Sequence, residues 1–279
     1  MEILAPLGKL NYLEKIISSG ADAVYAGVKG FSSRPEFSDL TIEEIGELVK
    51  IAHSKGCRVY VALNACIPER RVAQLIEIAE RLDQMEVDAL ILAEFGIISI
   101  LAERLNHSEI HASTLLGVYN SKTIELLKKY HVKRVVLSSD LFVGEIGELI
   151  RRSGDMEYEI IAAGGICFQC NRQCRLIHGM DKGNYHVACQ NEYELLKNGV
   201  PIGAAHRIGA PSAQLYLSLG MYYAMGINSF KIEGRTNNLE DVCHRIIELD
   251  KARKFVEEHE NHIPGCLHYI SRYLEGIKC

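Results

Sequence analysis

Four cysteines, Cys167, Cys170, Cys174 and Cys189, stand close together in the pattern C-x2-C-x3-C-x14-C. Thiolates this near in sequence can converge on one centre without closing a long loop, and thiolate ligands suit zinc or iron–sulfur clusters. Structural zinc sites usually show two C-x2-C hooks at a distance. This chain has one such hook, then Cys174 and a lone Cys189. Iron–sulfur ligation tolerates uneven spacing, with four cysteines as the common set. The pattern alone leaves three readings open: an iron–sulfur cluster, zinc, or unligated thiols. His178 and His186 lie between Cys174 and Cys189 and offer a less favoured imidazole replacement.

A second set of polar residues falls at the ends of candidate strands. Asn64 follows one such strand, Glu94 follows the next, and His111 with Ser113 and Thr114 ends the one after. Lys231, Glu233 and Arg235 lie along and after the last. Residues i and i+2 of a strand share a face, so Lys231 and Glu233 are expected to project together. Such a pair can bind an anion or relay a proton, or it can be a structural ion pair in a buried core. A guanidinium forms bidentate bonds to a carboxylate, which makes Arg235 a candidate substrate clamp.

The elements that must hold these groups alternate regularly. Short apolar runs at Glu2–Ala5, Ala23–Ala26, Arg58–Leu63, Ala89–Leu92, Glu109–Ala112, Arg134–Leu137, Glu159–Ala162 and Ser229–Ile232 read as parallel strands buried on both faces. Helical patterns fill the intervals. The clearest follows Thr41, which forms a capping box with Glu44 ahead of an apolar face of Ile45, Leu48, Val49 and Ala52, and Gly56 can end it. Arg70–Met85, Gly96–Leu105, Ser121–Tyr130, Leu141–Arg152, Ala210–Met225 and Leu239–His259 follow. Eight strands in β-α alternation predict an α/β fold, a single (β/α)8 TIM-type barrel. One interval is abnormally long. The cysteines open it, directly after the seventh strand, where barrel enzymes place their chemistry. We therefore expect a barrel over residues 1–260 with a cysteine-rich insertion at 163–209, and a short appendage at 261–279.

Length, at 279 residues, fits one barrel, and 48% hydrophobic residues are ordinary for a globular chain. No apolar run approaches a membrane span. No basic segment followed by an apolar stretch opens the chain, so we expect no signal peptide and a cytoplasmic protein. Nine cysteines in that compartment favour metal ligation or buried thiols over disulfides. The net charge of −5 gives no chain-wide signal for nucleic acid, although Arg172, Arg175 and Lys182 lie among the cysteines. Peptidase chemistry needs a nucleophile and an oriented base. Ser113, Ser138 and Ser139 are available at strand ends, but no G-x-S-x-G or H-E-x-x-H string is present.

The strings EILAPLGKLNYLEKIISSGADAVYAG, VYVALN, IHAST, RVVLSSDL and FKIEGR occur in this order over roughly residues 2–255. Together they resemble the collagenase-like peptidase family U-32. The resemblance implies iron–sulfur proteins that support oxygen-independent hydroxylation, of RNA bases or of a small aromatic, carboxylated substrate. It implies a 4Fe–4S cluster, with zinc as the alternative, held mainly by Cys167, Cys174 and Cys189. Cys170, Cys66 or Cys243 would supply the fourth ligand, Cys170 first among them. By the same resemblance His111, Lys231 and Glu233 would handle protons, and Asn64, Glu94 and Arg235 would position the substrate. Related proteins of this length work as heterodimers, so a related barrel protein is a possible partner besides the small-molecule substrate. The chain departs from the family where H-G-A-x-C is common: it reads Ala163-Gly164-Gly165-Ile166-Cys167, with alanine in place of the histidine. That departure favours a non-catalytic iron–sulfur partner as one alternative, and a collagenase-like peptidase is another.

Overall fold

The computed structural model describes residues 1–33, 39–164, 192–203, 206–207, 218–234 and 238–259. Eight parallel strands close into a barrel: β1 (Glu2–Pro6), β2 (Ala23–Gly27), β3 (Arg58–Leu63), β4 (Ala89–Leu92), β5 (Glu109–Ala112), β6 (Val132–Val136), β7 (Glu157–Ala163) and β12 (Ser229–Ile232). β12 closes the ring between β7 and β1. Helices α1 (Leu13–Ser18), α2 (Ile42–Ser54), α3 (Val72–Gln84), α4 (Phe95–Leu101), α5 (Ser121–Lys128), α6 (Val143–Ser153), α7 (Leu219–Ala224) and α8 (Leu239–Glu258) lie between and after the strands.

Alternation along each strand divides the core in two. Outward residues such as Ile3, Val24, Val59, Val61, Leu90, Leu92, Ile110, Val135, Ile160 and Phe230 pack with the apolar helix faces in one large cluster. Inward residues Leu4, Ala23, Tyr25, Tyr60, Ala62, Ala89 and Ile91 form a separate cluster in the lumen. These inward apolar residues come from β1 to β4. The rest of the ring supplies buried His111, Arg134, Glu159, Ser229 and Lys231. Above Glu2, which opens β1, the lumen is thus mainly apolar along β1 to β4 and charged along the rest of the ring.

Two register irregularities sit on the charged side. One falls between Ile110 and His111 where β5 meets β6, which leaves Lys133 unpaired and sets Arg134 opposite His111. The other falls between Lys231 and Ile232 against β7. Irregularities of this kind re-aim side chains and concentrate near functional sites.

The expected capping box is present. Thr41 Oγ1 accepts from the Glu44 N–H, and Glu44 accepts from the Thr41 N–H at 2.7 Å. In the long interval before β12, four short strands, β8 (Glu192–Tyr193), β9 (Leu196–Lys197), β10 (Val200–Pro201) and β11 (206–207), form two antiparallel ribbons. Asn198 and Gly199 turn β9 into β10, both with positive φ, as a tight hairpin requires. The four clustered cysteines, Arg235 and the 261–279 tail lie outside the described residues.

Candidate functional site

The charged side of the lumen is one connected network. Arg134, third in β6, is 2% exposed. Its Nη1 donates to Glu2 Oε1 at 2.5 Å and to Glu159 Oε2 at 3.4 Å, and its Nη2 donates to Glu157 Oε2 at 2.8 Å. Glu2 also accepts from the Tyr60 hydroxyl and Ser229 Oγ, both at 2.7 Å, and pairs with Arg58. Burial opposes the Glu2 charge, yet Arg134, Ser229 and Tyr60 together hold its carboxyl below the usual range. Burial likewise opposes the Arg134 charge, but Glu159 and Glu2 outweigh it and raise the guanidinium further. Glu2 and Ser229 begin their strands, so this end of the network lies at the N-terminal face of the barrel, where it lines a cavity with Arg58 and Glu157. In barrels that face serves stability.

Higher in the lumen, Glu159 Oε1 accepts from Lys231 Nζ at 3.0 Å. The ammonium lies 4.2 Å from the centre of the Tyr25 ring, a cation–π arrangement, and the Tyr25 hydroxyl donates to the Ile232 carbonyl at 3.1 Å. Glu159 is fully buried, whereas Lys231 keeps 9% of its surface, and so does part of the neighbouring inward residue Ile161.

His111 is fully buried. Its Nε2 lies 3.2 Å from Glu109 Oε2, its ring stands edge-on to Tyr60 at 4.9 Å, and its Nδ1 has no hydrogen-bond partner. Burial pushes the imidazole below its ordinary value, aided by Arg134 and opposed by Glu109 and Glu159. Glu109 is held low, first by its bond to His111. An ionised carboxylate at Nε2 fixes the neutral tautomer with its proton on that nitrogen.

The C-terminal rim carries the remaining described candidates, each half-buried. Asn64 Oδ1 accepts from the Ser33 N–H at 3.1 Å, and its Nδ2 donates to Ser113 Oγ at 3.2 Å. Glu94 caps the N-terminus of α4 by position, without a side-chain capping bond. The Glu233 N–H donates to the Ala163 carbonyl at 2.7 Å, which seats Glu233 against Gly164 at the end of β7. Gly164 has φ +122°, and a Cβ there would stand 2.6 Å from Glu233 Cβ. Only glycine fits that approach.

Lys231 and Glu233 both belong to the mouth, but the acid partner of Lys231 is Glu159 on the neighbouring strand. Sequence reasoning singled out neither Glu159 nor Arg134, Glu2 and Tyr60. The signal was available: charged or aromatic residues recur at alternate positions of runs that are otherwise apolar, as in EYEIIAA and RVYVAL. Among the described residues no group of three His, Cys, Asp or Glu could hold a metal. The cysteine segment resumes directly from Gly164, and four thiols are a donor set suited to an iron–sulfur cluster.

A closed ring of eight parallel strands with surrounding helices is a TIM-type (β/α)8 barrel. Within that fold class the assignment is specific. Residues 8–271 match the model of Peptidase family U32, and the chain belongs to that family. An uncharacterized protease of Methanocaldococcus jannaschii is 30% identical over 270 residues, covering 87% of this chain and 62% of its own length. The tRNA hydroxylation protein P1 of Bacillus subtilis is 29% identical over 255 residues, covering 87% of this chain and 60% of its own. This chain therefore spans less than two thirds of the length of either relative. A solved U32 peptidase structure shares the fold with a TM-score of 0.50 at 13% identity, over 60% of this chain and 70% of that one. No helix among the described residues is long and apolar enough to cross a membrane. Net charge gave no sign of nucleic acid, yet a relative is named for hydroxylating tRNA.

Proposed function

We propose that this chain is an iron–sulfur protein supporting oxygen-independent hydroxylation of a planar aromatic substrate, either a base in RNA or a small carboxylated ring. The observation that carries the reading is that the four-thiol segment follows in sequence directly on Gly164, which packs against Glu233 at the C-terminal end of β7. Similarity to a tRNA hydroxylation protein over 87% of the chain supports the reaction class. Cys167, Cys170, Cys174 and Cys189 would hold a 4Fe–4S cluster, which supplies redox chemistry when bound.

The chain's own residues take the other tasks. Lys231, reachable from the mouth and held by Glu159, donates or accepts protons there. Glu233 stands beside it on the rim. His111 is fully buried and bonded to Glu109, so any proton it exchanges passes through that carboxylate rather than directly to substrate. Glu94 and Arg235 position the substrate, the guanidinium by gripping a carboxylate or phosphate, and Asn64 shapes the rim.

Because C–H to C–OH is a two-electron oxidation, the test is an anaerobic incubation of reconstituted protein with unmodified tRNA or, separately, small aromatic carboxylates, together with a hydroxylated carboxylic acid that gives up its hydroxyl oxygen and is itself reduced by two electrons, read by mass spectrometry. Gain of one oxygen atom by wild type, abolished in Cys174→Ala and strongly reduced in Lys231→Met, is expected. Gain of oxygen by the metal-free protein would contradict the reading, as would peptide cleavage by that protein.

One observation favours a second reading. Ala163, where the family's histidine is common, packs into the outer apolar cluster. The chain would then be the iron–sulfur partner of a related barrel that carries the chemistry. Inactivity alone, with activity restored by a co-purifying family member, would establish it.

A further inference from the structure

Asn64 spends both ends of its side-chain amide on the protein, accepting from the Ser33 N–H and donating to Ser113 Oγ. Ser33 belongs to the loop after β2 and Ser113 follows β5, so one side chain joins two rim loops past the end of β4. The same loop is fastened at several other points. The Ala65 N–H donates to the Phe31 carbonyl at 3.0 Å, and the Lys29 N–H donates to the Leu40 carbonyl at 3.1 Å. Arg71 donates to the Gly30 carbonyl at 2.9 Å and covers the Phe31 ring at 4.1 Å. Ser113 Oγ in turn accepts from the Leu115 N–H at 3.2 Å.

We infer that Asn64 is a positioning residue, a tie that fixes residues 28–33 as a wall of the mouth, rather than a group that grips substrate. The wall stands on the β2-to-β5 arc. Lys231 and Glu233 stand on the opposite arc, so a substrate is confined between them. That last step rests on the proposed function, whereas the tie itself does not.

Amide exchange at Ser33, compared in wild type, Asn64→Leu and Asn64→Asp, tests the inference. Leucine keeps the volume and removes both bonds. Aspartate can accept from both the Ser33 N–H and the Ser113 hydroxyl, so it restores the tie. Exchange at Ser33 is expected to be about tenfold faster in Asn64→Leu, the size of one modest hydrogen bond, and near wild type in Asn64→Asp. Unchanged exchange in Asn64→Leu, or equally fast exchange in both variants, overturns the inference. Exchange is read without turnover, so an inactive wild type would sink the proposed function and leave this result standing.

Discussion

Arg134 is the residue whose loss the barrel can least absorb. Three carboxylates, Glu2, Glu157 and Glu159, converge on its guanidinium, and removing one member of a buried charged set leaves the others uncompensated. Arg134→Met is expected to destabilise the fold by about 3–5 kcal/mol, measured by urea unfolding. His111 gives the fold a pH dependence of definite sign. Its folded pKa is lowered by burial, while in the unfolded chain an imidazole titrates near 6.5. Below about 6.5 the unfolded state takes up a proton that the folded state resists, so stability present above that pH falls as pH drops toward the folded value. Between pH 6.5 and 5, roughly, wild type should lose stability faster than His111→Gln. Parallel slopes in urea midpoints would refute this. Two thiols of known environment should also differ. Burial, with Asp22 and Asp88 nearby, pushes Cys57 up to about 12, whereas Cys66 is exposed on the rim. Iodoacetamide at neutral pH should label Cys66 and spare Cys57 in the folded protein, as read by peptide mass spectrometry.

At the scale of elements, local chemistry was legible where it was self-contained. Arg58–Leu63, Ala89–Leu92, Glu109–Ala112 and Ser229–Ile232 appear with the bounds expected from their apolar runs. The capping box at Thr41 fixed the start of α2, and Thr41→Ala should cost about 1 kcal/mol in chemical unfolding. β6 and β7 begin two residues earlier than expected, at Val132 and Glu157. Lys133 and Glu157 read as loop charges, yet Glu157 satisfies Arg134 inside the ring. No local pattern announces that pairing, because it joins residues on different strands. The same limit hid the partner of Lys231: strand periodicity pointed to Glu233, and register across β7 and β12 delivered Glu159. Gly164→Ala offers a test of how β7 meets the rim. A positive φ and a collision with Glu233 should together cost roughly 1–3 kcal/mol, and equal stability would show that β7 can end differently.

At the scale of the whole molecule, one network spans the lumen, running from Glu2 at the N-terminal face through Arg134 and Glu159 to Lys231. The barrel and the identity of its rim residues could be read from alternation and strand ends. The charged lumen could not, because it depends on which strands close the ring. The thiols stand apart: their spacing leaves an iron–sulfur cluster, zinc and unligated thiols open, and they lie outside the described residues. The central claim is therefore tested most directly by composition. Iron and acid-labile sulfide should be measured after strictly anaerobic purification, alongside Cys174→Ala. About four of each per chain, with a reducible absorption and spin-resonance signal lost in the variant, is expected of a 4Fe–4S protein. Zinc in place of iron, or full iron content in Cys174→Ala, would contradict it.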